Sequence, residues 1–308
     1  MAGRWALVAI ITGLAIQTPL MGIVINDASL SSYNTSPSAY SGVVEITFQE
    51  GSSSGTYVCS GSLVSPTQIL TAGHCISGAD NWSVAFQTAS GTTSIGVSGS
   101  VLDPRFAALG DTGLDVYDVG LLTLSSPAPS NAQIYGLDLT LSGFVFGSST
   151  VYMVGYGLGG NPSVGFLNIY GPPYDPRRLA QNTLTGYLGS VNGFSTPDLP
   201  LYAYLTFVQN STASTGLPNG GDSGGPLFFN NQIIGVTSFG NLPRPGNGSY
   251  EYGVQYVGAF ADIVNPSVGI GSWVESELVP EPGTWALMAF GALALCVRFT
   301  GRSGRRLS

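Results

Sequence analysis

The chain has 308 residues, 44 of them glycine and 19 proline, with only 8% charged and a formal net charge of −8. Between Ile23 and Pro280 the imbalance is steeper, with 16 acidic residues against four arginines and a net charge of −12. Such a body repels a phosphate backbone, which sets nucleic acid aside as a partner, and turn formers at this density point to short strands rather than long helices. At the N-terminus, Arg4 precedes the apolar run Trp5–Ile11 and a further apolar stretch. That pattern reads as a secretory signal peptide over residues 1–22, cut between Ala15 and Gly22. Export then follows, and with it an environment in which cysteines pair.

Cys59–Val64 and Gln68–Ala72 read as two short apolar strands around the turn Ser65-Pro66-Thr67. Cys59 and Cys75 flank this hairpin, and a disulfide between them would clamp the segment Thr71-Ala72-Gly73-His74-Cys75. His74 is the only histidine, so any imidazole base working at neutral pH is His74. Asp118 heads the apolar strand 119–124, while Asp111 and Asp115 are rivals in the polar loop before it. Ser125-Ser126-Pro127-Ala128-Pro129-Ser130 forms a natural connector between two strand-rich halves.

The turn Gly221-Asp222-Ser223-Gly224-Gly225-Pro226 is the most informative string in the chain. A serine hydroxyl is a poor nucleophile until a base takes its proton and donors await the oxyanion it creates. Glycines on either side permit a backbone in which the Gly221 and Ser223 amides share one hollow. Read alone, the string is also an ordinary glycine-rich turn, and His74 and Asp118 are what raise it above that.

The ordered pair Thr-Ala-Gly-His-Cys and Gly-Asp-Ser-Gly-Gly-Pro resembles the trypsin/chymotrypsin-like serine proteases of the S1 family. The resemblance implies an all-β fold of two six-stranded antiparallel barrels, about residues 23–124 and 152–264, with the active site between them and a short C-terminal helix within a domain spanning 23–278. It implies catalysis by His74, Asp118 and Ser223, with Gly221 and Ser223 as oxyanion donors. Segment 235–240 resembles the strand on which the family lays protein or peptide substrates, with Ser238, Phe239 and Gly240 lining the site and Leu217 at the base of the primary pocket. An apolar base supplies no charge for a buried Arg or Lys, so the expected preference is for apolar or aromatic residues before the scissile bond. Asp222 would pair with a new N-terminal ammonium, and Ile23-Val24 resembles the first two residues of mature relatives. No cofactor is implied, and no metal: the loop from Phe86 to Ser100 lacks the carboxylates that hold calcium in many relatives.

The C-terminus has three parts: Val279-Pro280-Glu281-Pro282-Gly283-Thr284, an apolar run from Trp285 to Val297, and a cluster of four arginines. This resembles the PEP-CTERM sorting signal, which implies a sorting segment over 279–308, transient membrane association as an apolar helix, signal peptidase and exosortase-type partners, and delivery to the cell surface or matrix. A helix over the apolar run spans about 20 Å, short of a bilayer core of roughly 30 Å. The competing functional reading is a catalytically silent, protease-like binding module at the cell surface.

Overall fold

The architecture comes from a computed structural model. It describes residues 23–25, 34–51, 55–109, 117–157, 159–161, 165–166, 177–187, 190–191, 194–195, 202–206, 215–240, 257–266 and 268–278. The signal peptide, Asp111, Asp115 and the sorting segment lie outside the described residues.

Strands come in chain order as β1 (Val24–Ile25), β2 (Val43–Glu50), β3 (Tyr57–Ser65), β4 (Gln68–Thr71), β5 (Ala79–Thr88), β6 (Gly91–Leu102), β7 (Gly120–Leu124) and β8 (Thr150–Gly155). They continue as β9 (Gly160–Asn161), β10 (Gly165–Phe166), β11 (Arg178–Tyr187), β12 (Ser190–Val191), β13 (Phe194–Ser195), β14 (Tyr202–Thr206), β15 (Gly216–Leu217), β16 (Pro226–Phe229), β17 (Gln232–Gly240) and β18 (Val257–Asp262). Two helices, α1 (Pro104–Leu109) and α2 (Ile270–Glu277), complete the described set.

Twelve strands close two six-stranded barrels, β2-β3-β4-β7-β6-β5 and β8-β11-β14-β18-β17-β16. Numbered from its own first strand, each barrel has the same circular order, 1-2-3-6-5-4. Closure removes the sheet edges that short β-rich sequences would otherwise expose. Each barrel has its own apolar filling. Ile46, Leu63, Ile69, Val84, Phe86 and Leu121 are buried in the first, and Val151, Met153, Leu184, Leu227 and Phe260 in the second.

The first barrel begins at Val43 rather than at Ile23. Val24 pairs antiparallel with Leu217 and parallel with Gly160, so the Ile23 end belongs beside the second barrel. The driving force is burial: Ile23 is 1% exposed and packs among the second barrel's core residues. The connector runs over both barrels, with Ala128 N–H donating to Pro66 and Asp138 N–H to Ile233.

α2 forms despite Pro266, Gly269 and Gly271. Gly269 sits at its start in the left-handed region, φ 70°. Gly271 is buried where a Cβ would overlap the Ile263 carbonyl and Leu139, so the poor helix former is what lets the helix approach the barrel. Packing of Ile270 and Val274 outweighs propensity here.

Candidate active site

His74 lies in a 3-10 turn, Gly73–Cys75, directly after β4. The turn is held from behind by a disulfide between Cys59 on β3 and Cys75. The sulfurs and a ring nitrogen of His74 lie within 4.8 Å of one another, a spacing a metal would suit. With the sulfurs bonded to each other and Nδ1 bonded to Asp118, the cluster does not fit a metal and instead fixes the imidazole.

Asp118 is reached by a tight turn. Val119 N–H donates to the Tyr117 carbonyl at 2.7 Å, which places Asp118 at the centre of a three-residue turn before β7. Tyr117 carries φ 61°, strained for a bulky residue, and its ring is covered by the Arg105 guanidinium at 4.1 Å. Arg105 is itself fixed by Asp103, with contacts of 2.9 and 2.6 Å.

The Asp118 carboxylate accepts three hydrogen bonds. His74 Nδ1 lies 2.7 Å from Oδ2, the His74 backbone N–H donates to Oδ1 at 2.8 Å, and the Ser238 hydroxyl donates to Oδ2 at 2.6 Å. Asp118 is fully buried and the imidazole is 33% exposed, so the charge is hidden and the working ring faces outward. Engagement of Nδ1 by the carboxylate makes Nε2 the ring nitrogen that can take a proton. Ser238 falls at the register shift of β17 between Thr237 and Phe239, and a bulge re-aims a side chain in this way. Phe239 and Gly240 continue β17, paired with Ala259 and Gly258.

The Ser223 turn is wedged between the two barrels. On one side Ser60 N–H donates to the Ser223 carbonyl at 2.7 Å, and the Ser60 hydroxyl donates to the Gly221 carbonyl at 2.9 Å. On the other, Gly224 N–H donates to Thr237 and Thr237 N–H to Gly225. Gly224 has φ 81°, and a Cβ there would overlap the Thr71 hydroxyl and the Ser60 carbonyl. Glycine therefore brings the serine turn against the strands that carry His74. The Gly221 and Ser223 amides lie on this same turn, on either side of Asp222.

Asp222 points inward, away from the cleft. It is 2% exposed and accepts N–H groups of Gly157 at 2.8 Å, Asn219 at 2.9 Å and Ile23 at 3.3 Å. Burial pushes its carboxyl up to about 6 against the pull of those donors and of Arg178. Leu217 is fully buried among the second barrel's core residues, one strand pairing away from Val24.

The sequence reading missed several supports. Tyr156, between two glycines, offers no alternation or charge to flag it, yet Gly157 is where a Cβ would stand 2.5 Å from Asp222 N and 2.6 Å from its carboxyl. Ser60 lies inside β3 with nothing local to distinguish it, and only its two partners, the Gly221 carbonyl and the Tyr156 N–H, reveal it as a brace. Arg177 is fully buried and donates to the carbonyls of Ser36, Pro37, Ala39, Val43 and Gln87 and to the Tyr156 hydroxyl.

Two antiparallel barrels with a histidine–carboxylate pair on one and a glycine-flanked serine on the other define a chymotrypsin-like hydrolase fold. The family model for trypsin matches residues 34–264 and the PEP-CTERM protein-sorting motif matches residues 278–306. The chain belongs to the trypsin family and is a serine-type endopeptidase that carries a C-terminal PEP-CTERM signal. A trypsin of Saccharopolyspora erythraea is 29% identical over 237 residues, covering 71% of this chain and 90% of the relative. Brachyurin of Leptuca pugilator is 28% identical over 186 residues, 60% of this chain and 76% of the relative. Among solved structures, GrC has a TM-score of 0.56 at 18% identity and HL collagenase 0.58 at 17%, each match covering 79% of this chain and 96% of the other.

Proposed function

We propose that the protein hydrolyses peptide bonds by acyl transfer to Ser223. His74 Nε2 takes the hydroxyl proton as Oγ attacks the carbonyl, Asp118 holds the imidazole through Nδ1 and stabilises its positive charge, and the Gly221 and Ser223 amides receive the oxyanion. His74 then returns the proton to the leaving amine, and water repeats the sequence to release the acid. The observation that carries this reading is the pair of bonds from His74, ring and backbone, to one buried carboxylate beside the serine turn.

The apolar Leu217 makes the preferred residue before the scissile bond apolar or aromatic, presented as a strand along Ser238, Phe239 and Gly240. Signal cleavage after Gly22 creates an ammonium on Ile23, whose nitrogen lies 3.3 Å from the Asp222 carboxylate, so that export and ordering of the site are one event. The PEP-CTERM signal marks the chain for surface sorting by an exosortase-type enzyme, with residence at the cell surface or in the matrix.

A fluorophosphonate probe should label Ser223 and should fail on the His74→Ala variant. Folded, unlabelled protein would instead fit a silent binding module. Cleavage of a peptide library should favour Phe and Leu over Arg and Lys, and the reverse preference removes the assignment of Leu217.

A further inference from the structure

The first barrel has two distinguishable ends. β4 and β7 pair Thr71 with Gly120 at one end and Gln68 with Thr123 at the other. His74 follows Thr71 and Asp118 precedes Gly120, so the first end is the catalytic one. The second end is closed by the turn 65–67 and the connector, through Leu124 N–H to Thr67 and Ala128 N–H to Pro66.

α2 runs between these ends. Its entry is held at the catalytic end, where Arg105, stacked on the neighbour of Asp118, donates to the carbonyls of Val268 and Gly269. Its exit is held at the other end, where the Gln68 amide, on a residue 2% exposed, donates to the Glu277 carbonyl at 2.9 Å. Buried Ile270 and Val274 fix the helix between the two clamps. The sorting motif begins at residue 278, immediately beyond the second clamp.

Resting on the protease reading above, we propose that α2 delivers the sorting tail to the pole of the first barrel opposite the cleft. The membrane-held enzyme then presents an open, working cleft outward and does not cut its own tail. Reach supports this. Residues 279–284 extend at most about 20 Å, and retracing an eight-residue helix takes roughly 12 Å of that. The remainder, about two residues, is too little to lie along a cleft on both sides of a scissile bond before the apolar run begins. The described hydrogen bonds to Asp118 come from His74 and Ser238, and those that hold the Ser223 turn come from Ser60 and Thr237, all of them within the two barrels. Tail removal is therefore assigned to a separate peptidase acting at the membrane.

The test uses the leader-processed full chain, tail intact, in vesicles of phosphatidylethanolamine and phosphatidylglycerol. Fluorophosphonate added outside should label Ser223 within about twofold of the rate for protein ending at Leu278, and the tail should stay intact on prolonged incubation. Labelling tenfold slower in vesicles would show a cleft turned to the membrane and overturn the proposal. Tail loss that is first order, independent of protein concentration and absent from Ser223→Ala would show cleavage in cis and overturn it too. Absence of label from both forms would bring down the underlying protease reading instead, and this proposal with it.

Discussion

At the scale of single residues, two buried carboxylates do different work. Asp118 is satisfied by three donors, two from His74 and one from Ser238. Asp118→Asn puts the wrong tautomer on the ring and should lower kcat by about 10⁴-fold with little change in KM. Ser238→Ala removes one of the three bonds and should lower kcat about tenfold, a split that steady-state kinetics on a peptide amide would read. Asp222 is the carboxylate whose folded-state value is raised, to about 6. While the leader is attached, the fold keeps a proton on Asp222 that the unfolded chain has released. Stability therefore falls as pH rises through about 4 to 6, by roughly 3 kcal/mol in all. An ammonium on Ile23 favours the charged carboxylate and should abolish that loss. Urea unfolding at pH 4.5 and 7 of leader-bearing and Ile23-terminated protein measures the difference. Asp262, also raised to about 6, contributes equally to both forms and cancels.

At the scale of elements, the site depends on close approaches that only glycine permits. Gly157→Ala would drive a Cβ into the Asp222 backbone and carboxyl. The expected cost is about 1–3 kcal/mol, with loss of fluorophosphonate labelling greater than the loss of stability, since the displaced residue adjoins Ser223. Labelling rate set against urea midpoint separates the two effects. His74 and Ser223 were legible in the sequence because each sits in a short string whose chemistry is local. The role of Ser238 was not legible, because it arises from a one-residue register shift in β17 that no alternation pattern announces. α2 was expected by analogy and opposed by propensity, and close packing of Gly271 on Ile263 and Leu139 resolves the conflict.

At the scale of the molecule, the two barrels share one strand order and meet at the serine turn. Arg177 ties them together. It directly precedes β11 of the second barrel, and its guanidinium reaches Val43 and Gln87 of the first barrel, Tyr156 beyond the end of β8, and the 36–39 segment. Arg177→Met keeps the apolar stem and leaves several buried carbonyls without a donor, and should destabilise the protein by about 3 kcal/mol or more. Urea unfolding by tryptophan fluorescence reads that loss.

What the sequence determined by itself is the chemistry available: one imidazole, one glycine-flanked serine, an aspartate before an apolar strand, and targeting signals at both ends. Local strings carry such information because a side chain's reactivity belongs to its type. What only the tertiary structure decided is relation. It chose Asp118 as the partner of His74, placed Ile23 beside the second barrel rather than the first, and sent the C-terminal helix away from the cleft. Those relations come from closing two barrels and burying their apolar faces. They depend on contacts between residues up to 209 positions apart, which no local pattern encodes.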